Sequence, residues 1–406
     1  MLSRKERVKL LRDNVAKEWT NYWWDSIYTN RSWPSFDYIN LAGNPNLTLD
    51  IIKQNMHLPW NWLYLSIKPI ITLEFIVENP HEDWNWYALS ANSGLDVRRD
   101  ILANKTLPWK WEYVVENPTL TIDIVTDPVT QDIFKEYGYA SALKKISFNP
   151  RITMDDITRH PELDIDIELV CKNPNLTIEF VKSNLHLLID EWIWRYISKN
   201  PGIKIRDIID NPELPWIYEN VLMNPNMTYI DFLANPQIDW KTNILLQYVK
   251  LPFAIFMANI DRFTKYSIDN VSSNPGTQLA DITANPDIPW CWTNVSLNPN
   301  LTLDFVLANP DKDWEWTYII QNPNIMLDEL CNLIKSRHRL IGNNTQSAIY
   351  SNPFTASKQK FFADNYRRHL ASYRIQQHWH RIRSDPRHPV GRKRLEREYE
   401  RVFGSK

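Results

Sequence analysis

Four of the nine histidines, His369, His378, His380 and His388, stand near the C-terminal end of the sequence. The His378-x-His380 spacing could bring two imidazoles to one metal ion. No cysteine or carboxylate stands beside them at ligand spacing to complete a set, so a solvated or stacking role is the expectation and no metal or cofactor is assigned. The three cysteines, Cys171, Cys291 and Cys331, are odd in number and far apart; they read as buried free thiols of a reducing compartment. Carboxylates are plentiful at 48 Asp plus Glu, yet no pair stands out as acid and base. Phosphate-cradling loops need glycine, and the chain has only 8, with no Walker, GxGxxG, HExxH, GxSxG or paired CxxC motif. These features argue against an enzyme and against an evident small-molecule substrate.

The strongest chemical contrast is electrostatic. Residues 356–406 carry 14 Lys plus Arg against 5 Asp plus Glu, a net charge of +9, whereas the remaining sequence carries 32 against 43, a net charge of −11. Phe361, Phe362, Tyr366, Leu370, Tyr373 and Ile375 recur at helix-like spacing, predicting a helix to about Arg383, a break from Asp385-Pro386 to Pro389 and a last short helix. Three roles compete for this tail. It could cap the last repeat, or dock on an acidic partner or on the acidic remainder of the chain. It could also hold nucleic-acid phosphates through Arg367, Arg368, Arg374, Arg381, Arg383, Arg392, Lys393 and Arg394. Ile375-Gln376 followed by Arg381 is a weak match to a calmodulin-binding IQ motif, with its arginine one position late and its glycine missing.

Most of the sequence is a repeat. Aligned on NPNLTLD from Asn44, equivalent starts fall at Lys68, Asn92, Asn117, Asn149, Asn173, Asn200, Asn224, Asn274, Asn298 and Asn322, most of them 24 residues apart. An insertion near Gln131–Ser141 lengthens one unit, and a degenerate unit around Val249–Ala258 fills the widest gap. Each unit reads as two short helices. A threonine in the fifth slot (Thr48, Thr72, Thr121, Thr153, Thr177, Thr228, Thr302), or Asp96, is placed to cap the first helix, and an acid two residues later favours the positive end of its dipole. Apolar slots such as Leu301, Leu303 and Val306 supply the buried face. Asn-Pro pairs such as Asn79-Pro80, Asn211-Pro212, Asn235-Pro236, Asn285-Pro286 and Asn309-Pro310 end helices, because proline disfavours a preceding α conformation while asparagine tolerates left-handed geometry and can hydrogen-bond freed carbonyls. Tryptophan pairs (Trp60/Trp62, Trp84/Trp86, Trp109/Trp111, Trp192/Trp194, Trp290/Trp292, Trp314/Trp316) open the second helix. Pointing about 200° apart on a helix, they predict one ring within a unit and one against its neighbour. An aromatic box for a ligand is the alternative, though packing positions recur in this way and a single site does not.

The expected fold is therefore all-α: an α-solenoid of about a dozen two-helix repeats of ~24 residues, forming a rod or arc with a partner-binding surface. Residues 1–43 are N-terminal helices and a degenerate first unit, 44–345 the array and 346–406 the basic helical tail. The sequence begins without a signal-like apolar core and has no 18-residue apolar run, which predicts a protein that is neither secreted nor membrane-spanning. Asn46, Asn175, Asn226 and Asn300, formal glycosylation sites, then read as parts of the repeat.

The segment NPNLTLDFVLANPDKDWEWTYIIQNPN is similar to the repeat of a large group of proteins from giant, mimivirus-like nucleocytoplasmic large DNA viruses. The segment YRIQQHWHRIRSDPRHPVGRKRLEREY resembles a C-terminal signature of the same group. The resemblance spans about residues 44 to 400, with 131–141 and 245–270 departing from it. That group has no assigned activity, so the resemblance implies a viral setting, in host cytoplasm or virion, and no catalytic residues. The expected function is a non-enzymatic scaffold that binds a viral or host protein through the solenoid surface; the alternative is a nucleic-acid-associated or virion structural component that uses the tail.

Overall fold

The structure, a computed structural model, describes residues 4–28, 37–136, 140–163, 165–263, 267–336, 348–384 and 387–403. It is all-helical, with no strand among the described residues. Two compact units are present: Trp33–Asn322 with Arg337–Pro353, and Met1–Ser32 with Pro323–Ser336 and Phe354–Lys406. The compact units thus do not follow the three segments read in chain order, since the N-terminal helix and the basic tail belong to one unit.

The first unit is the repeat array. Its helices are very short, Leu49–Gln54 then Trp62–Leu65, and Leu303–Ala308 then Trp316–Gln321. Isolated helices of this length do not persist in water, so their ends must be capped and their sides covered. The threonine oxygens of Thr48, Thr72, Thr153, Thr177, Thr228 and Thr302 accept first-turn N–H groups, as does the Asp96 carboxylate. Thr121 departs from this: its hydroxyl bonds the Asp123 carboxylate instead of a backbone N–H. Leu301, Leu303, Val306, Leu176, Ile178 and Val181 are buried as the slot pattern predicts.

The Asn-Pro pairs that end first helices bond freed carbonyls as expected, but without the left-handed geometry. Asn79 and Asn309 have φ of −128° and −126°, not left-handed values. Each reaches back with its amide to a carbonyl four residues earlier, Asn79 to Phe75 at 2.8 Å and Asn309 to Phe305 at 2.8 Å. Its own carbonyl then accepts the indole N–H of the tryptophan five residues on, Trp84 at 2.8 Å and Trp314 at 2.7 Å.

The asparagine that starts each unit does more. Asn173 is fully buried, and its amide donates to the carbonyls of Ser147, Asn149 and Ile152 in the preceding unit at 2.9, 3.1 and 2.9 Å, while its oxygen accepts from Asn175 N at 2.8 Å. The same pattern joins Asn92, Asn117, Asn149, Asn200, Asn224 and Asn298 to the unit before each. A second line of contacts comes from buried serines: the hydroxyls of Ser66, Ser90, Ser198, Ser272 and Ser296 accept backbone N–H groups 19 or 20 residues on. The amides of Asn46, Asn175, Asn226 and Asn300 also donate across the joint, for example Asn300 to Pro275 O at 3.1 Å and to Thr277 O at 2.8 Å.

This ladder has no free end. Asn322 donates to Asn298 O at 2.8 Å, and Asn352 to Ile320 O and to Asn322 O, the latter at 3.0 Å. Asn44, the start of the first complete unit, donates to Tyr350 O at 2.7 Å and Asn352 O at 2.9 Å, and Asn46 to Pro353 O at 2.9 Å. These are the contacts an interior unit makes with its predecessor, so the succession of units is a closed circuit and not the open rod or arc expected. Two positions lack the asparagine. Val249 stands in the degenerate unit, where its carbonyl still accepts from Asn274 at 2.8 Å. Lys68 substitutes its ammonium, which donates to Asn44 O at 2.7 Å.

In the second unit, the helix Arg4–Tyr28 packs on the helix Thr355–Ser384 through Trp19 and Tyr22, whose rings lie 5.5 and 5.3 Å from Phe361. Tyr22 also bonds the Asp328 carboxylate on Leu327–Ser336, and Ser357 Oγ accepts from Leu327 N at 2.7 Å. The last helix runs from Pro389 to Phe403, so both helices predicted for the tail are present.

Asn298→Ala removes three donated bonds and one accepted bond from a buried site, so a loss of about 3–4 kcal/mol in guanidinium unfolding is expected, against about 1 kcal/mol for Thr302→Ala. Burial lowers the Lys68 ammonium to about 8 from its ordinary 10.5. Between those values the unfolded chain binds more protons than the folded one, so stability rises with pH in that window. Lys68→Asn should therefore raise the melting temperature at pH 7, with an advantage that shrinks as pH climbs from 8 towards 10.5; a constant offset would contradict the burial cost assigned to this lysine.

Candidate interaction surface

The tryptophans are divided by role. Trp60, Trp84, Trp109 and Trp290, each the first of a pair, and the single Trp216 and Trp240 are buried, with their N–H groups on asparagine carbonyls; Trp314 makes the same bond while half-buried. The second stands edge-on to the first tryptophan of the next unit: Trp62 on Trp84 at 4.9 Å, Trp86 on Trp109 at 5.1 Å, Trp194 on Trp216 at 5.3 Å and Trp292 on Trp314 at 5.2 Å. Tyr218 replaces it against Trp240, and Phe134 from the inserted helix Pro128–Glu136 receives Trp111. The Trp192/Trp194 pair is shifted: Trp194 is buried and takes both roles, while Trp192 is 41% exposed. These rings are staples between units, as the spacing predicts.

With the asparagines, serines and most tryptophans occupied in joining units and the threonines in capping helices, one set of exposed side chains on successive units lies just past the second tryptophan. Leu63, Tyr64 and Ile67 are 53, 46 and 62% exposed, and Tyr87 of the next unit is 49% exposed. Along the same row Tyr87 and Tyr113 meet edge-on at 5.2 Å, Lys110 lies over Tyr87 at 5.1 Å and Lys145 over Tyr113 at 5.1 Å. Lys172 lies 4.2 Å from the Tyr196 ring and 2.6 Å from Glu168. Apolar side chains beside aromatic rings with cations over them form a sticky, partly charged surface, the composition that protein interfaces favour. The row was not singled out by sequence reasoning. The signal available was the Leu-Tyr, Tyr-Ala and Glu-Tyr pairs that follow Trp62, Trp86 and Trp111.

The basic residues of the tail are spread along two helices. Arg367 and Arg368 are exposed on Thr355–Ser384, and Arg392 and Lys393 are exposed on Pro389–Phe403, where Arg394 is half-buried. The side chains of Arg374, Arg381 and Arg383 lie outside those described. His369 pairs with Glu18 at 3.3 Å. His378 is exposed, and among the described residues no three His, Cys, Asp or Glu side chains converge as a metal set. No helix among them is long and apolar enough to cross a membrane. Comparison with protein-family models, with curated proteins and with solved structures finds no match.

The three cysteines are free thiols. Burial pushes the Cys171 thiol up to about 12, which leaves almost no thiolate at neutral pH. Cys291, half-buried at the start of a second helix, is the accessible one. Iodoacetamide added to the native protein at pH 7.5 should label Cys291 well before Cys171 and Cys331, as read by peptide mass spectrometry; equal labelling would show that the array opens on the labelling timescale.

Proposed function

We propose that this protein is a non-enzymatic interaction scaffold that binds a protein partner through the exposed row of its second helices. The observation that supports this most is the division of labour in the array. Asparagine, serine and most tryptophan side chains are used between units, and the side chains exposed at Leu63, Tyr64, Ile67 and Tyr87 are apolar or aromatic and stand on two successive units. Within this proposal the partner is viral or host and the setting is host cytoplasm or virion, as the resemblance of the repeat to giant-virus proteins implies.

A second reading assigns nucleic-acid binding to the tail. It is favoured by the exposure of Arg367, Arg368, Arg392 and Lys393 in a segment of net charge +9.

Because Leu63 and Ile67 are more than half exposed, Leu63→Asp with Ile67→Asp should leave the melting temperature within about 2 °C of the parent. The same double variant should lose a partner captured by the intact chain in cross-linking from infected cells. Retention of every partner by the folded variant sinks the scaffold reading at this surface. The second reading is tested on the full chain: changing Arg367, Arg368, Arg392 and Lys393 to Gln should reduce both the affinity for duplex DNA or RNA and the slope of its logarithm against salt. An intact chain with no salt-dependent binding dismisses it.

A further inference from the structure

Two units of the array are near copies in their aromatic framework. Trp62, Phe75 and Trp84 correspond to Trp292, Phe305 and Trp314, with the same separations in sequence. The rings correspond in space as well: Trp62–Trp84 are 4.9 Å apart and Trp292–Trp314 5.2 Å, while Phe75–Trp84 and Phe305–Trp314 are 6.0 and 6.2 Å apart, both at 83°. Asp83 and Asp313 precede the later tryptophan in both.

They differ two residues before that tryptophan. In the later unit the position is Lys312, whose ammonium lies 5.3 Å from the centre of the Trp292 ring and 3.1 Å from the Asp311 carboxylate. In the earlier unit it is Glu82. Lys53 lies 5.4 Å from the centre of the adjoining Phe75 ring and 3.7 Å from Glu78, but among the described residues no cation lies over Trp62 or Trp84, and a groove of about 490 Å³ opens there, lined by Trp60, Asn61, Trp62, Leu63, Asp83 and Trp84. The other aligned units carry an apolar residue at this position, such as Leu58, Leu107, Leu214, Ile238 and Ile288. The charge at Glu82 is therefore not demanded by the repeat.

We propose that the groove over Trp62 receives the ammonium of a lysine side chain presented by a partner protein, in the place that Lys312 fills from within its own unit. An indole face attracts a cation through its quadrupole, most strongly where water is partly excluded. Asp83 at the groove and Glu82 beside it supply negative charge, and the exposed Leu63 side chain offers apolar surface to the four-methylene stem. The inference rests on the scaffold reading for the source of the lysine, but the groove's preference can be measured without the partner.

The probe is Nα-acetyl-lysine N-methylamide, titrated against the full chain at low ionic strength and followed by saturation-transfer NMR, with the norleucine analogue as its uncharged counterpart. The lysine amide should bind several-fold more tightly than the norleucine amide. Glu82→Lys, which gives the earlier unit its own cation, should abolish that preference. Lys312→Glu should add a second equivalent site at Trp292, which Lys250→Glu, the same charge change at an exposed lysine elsewhere, should not. Equal binding of the two amides, undiminished lysine binding in Glu82→Lys, or no added site in Lys312→Glu overturns the proposal. The first of these results leaves the scaffold reading standing, because that reading is decided by partner loss at Leu63 and Ile67.

Discussion

A buried asparagine side chain holds all but two units of the array to the one before. The primary amide suits this task because it offers two N–H donors and a two-lone-pair acceptor in one small plane. At Asn173 all are used: the donors serve three carbonyls of the preceding unit, and the oxygen holds the turn that starts its own. Those carbonyls belong to the ends of short helices and to tight turns, groups that no helix of four to six residues can satisfy internally. The asparagine thus completes the backbone hydrogen bonding of the previous unit while positioning the next. The proline that follows, the threonine cap and the tryptophan staples operate on a frame that this amide has set.

The closed circuit extends the same bonding to both ends of the array, whose terminal carbonyls and amide an open array would leave to solvent. Here Asn44 takes the carbonyls of Tyr350 and Asn352, so neither end is left unmatched. Lys68 keeps the ladder continuous by a longer and more costly route, since its charge must be buried to reach Asn44 O. At Val249 the donor is lost but the carbonyl is still used. The ladder also tolerates changes of spacing, since Asn149 still reaches Asn117 O across the 32-residue unit.

Features decided within one unit were legible in the sequence. Threonine caps, the apolar slots and the Asn-Pro stops depend on neighbours within a turn of helix, and the sequence pattern contains those neighbours. Thr121 shows the limit even there, since its hydroxyl donates to Asp123 without accepting a first-turn N–H, whereas Thr153 and Thr228 do both. The starting asparagine was visible as the best alignment marker, yet its role was hidden because its partners lie about 24 residues earlier. Closure was hidden further, since it depends on small rotations summed over all units. Its written sign is Asn352-Pro353, an ordinary unit start placed inside residues 346–406, the segment assigned to the tail. The exposed row past the second tryptophan escaped notice because its residues vary, while attention went to those that repeat.

Asn44 gives the most direct test. In guanidinium unfolding, Asn44→Ala should cost as much as truncating an interior asparagine of the ladder, about 3 kcal/mol, because its amide closes the circuit on Tyr350 and Asn352. A loss below about 0.5 kcal/mol, the effect of removing a polar side chain at a solvent-exposed free end, would contradict the closed ladder.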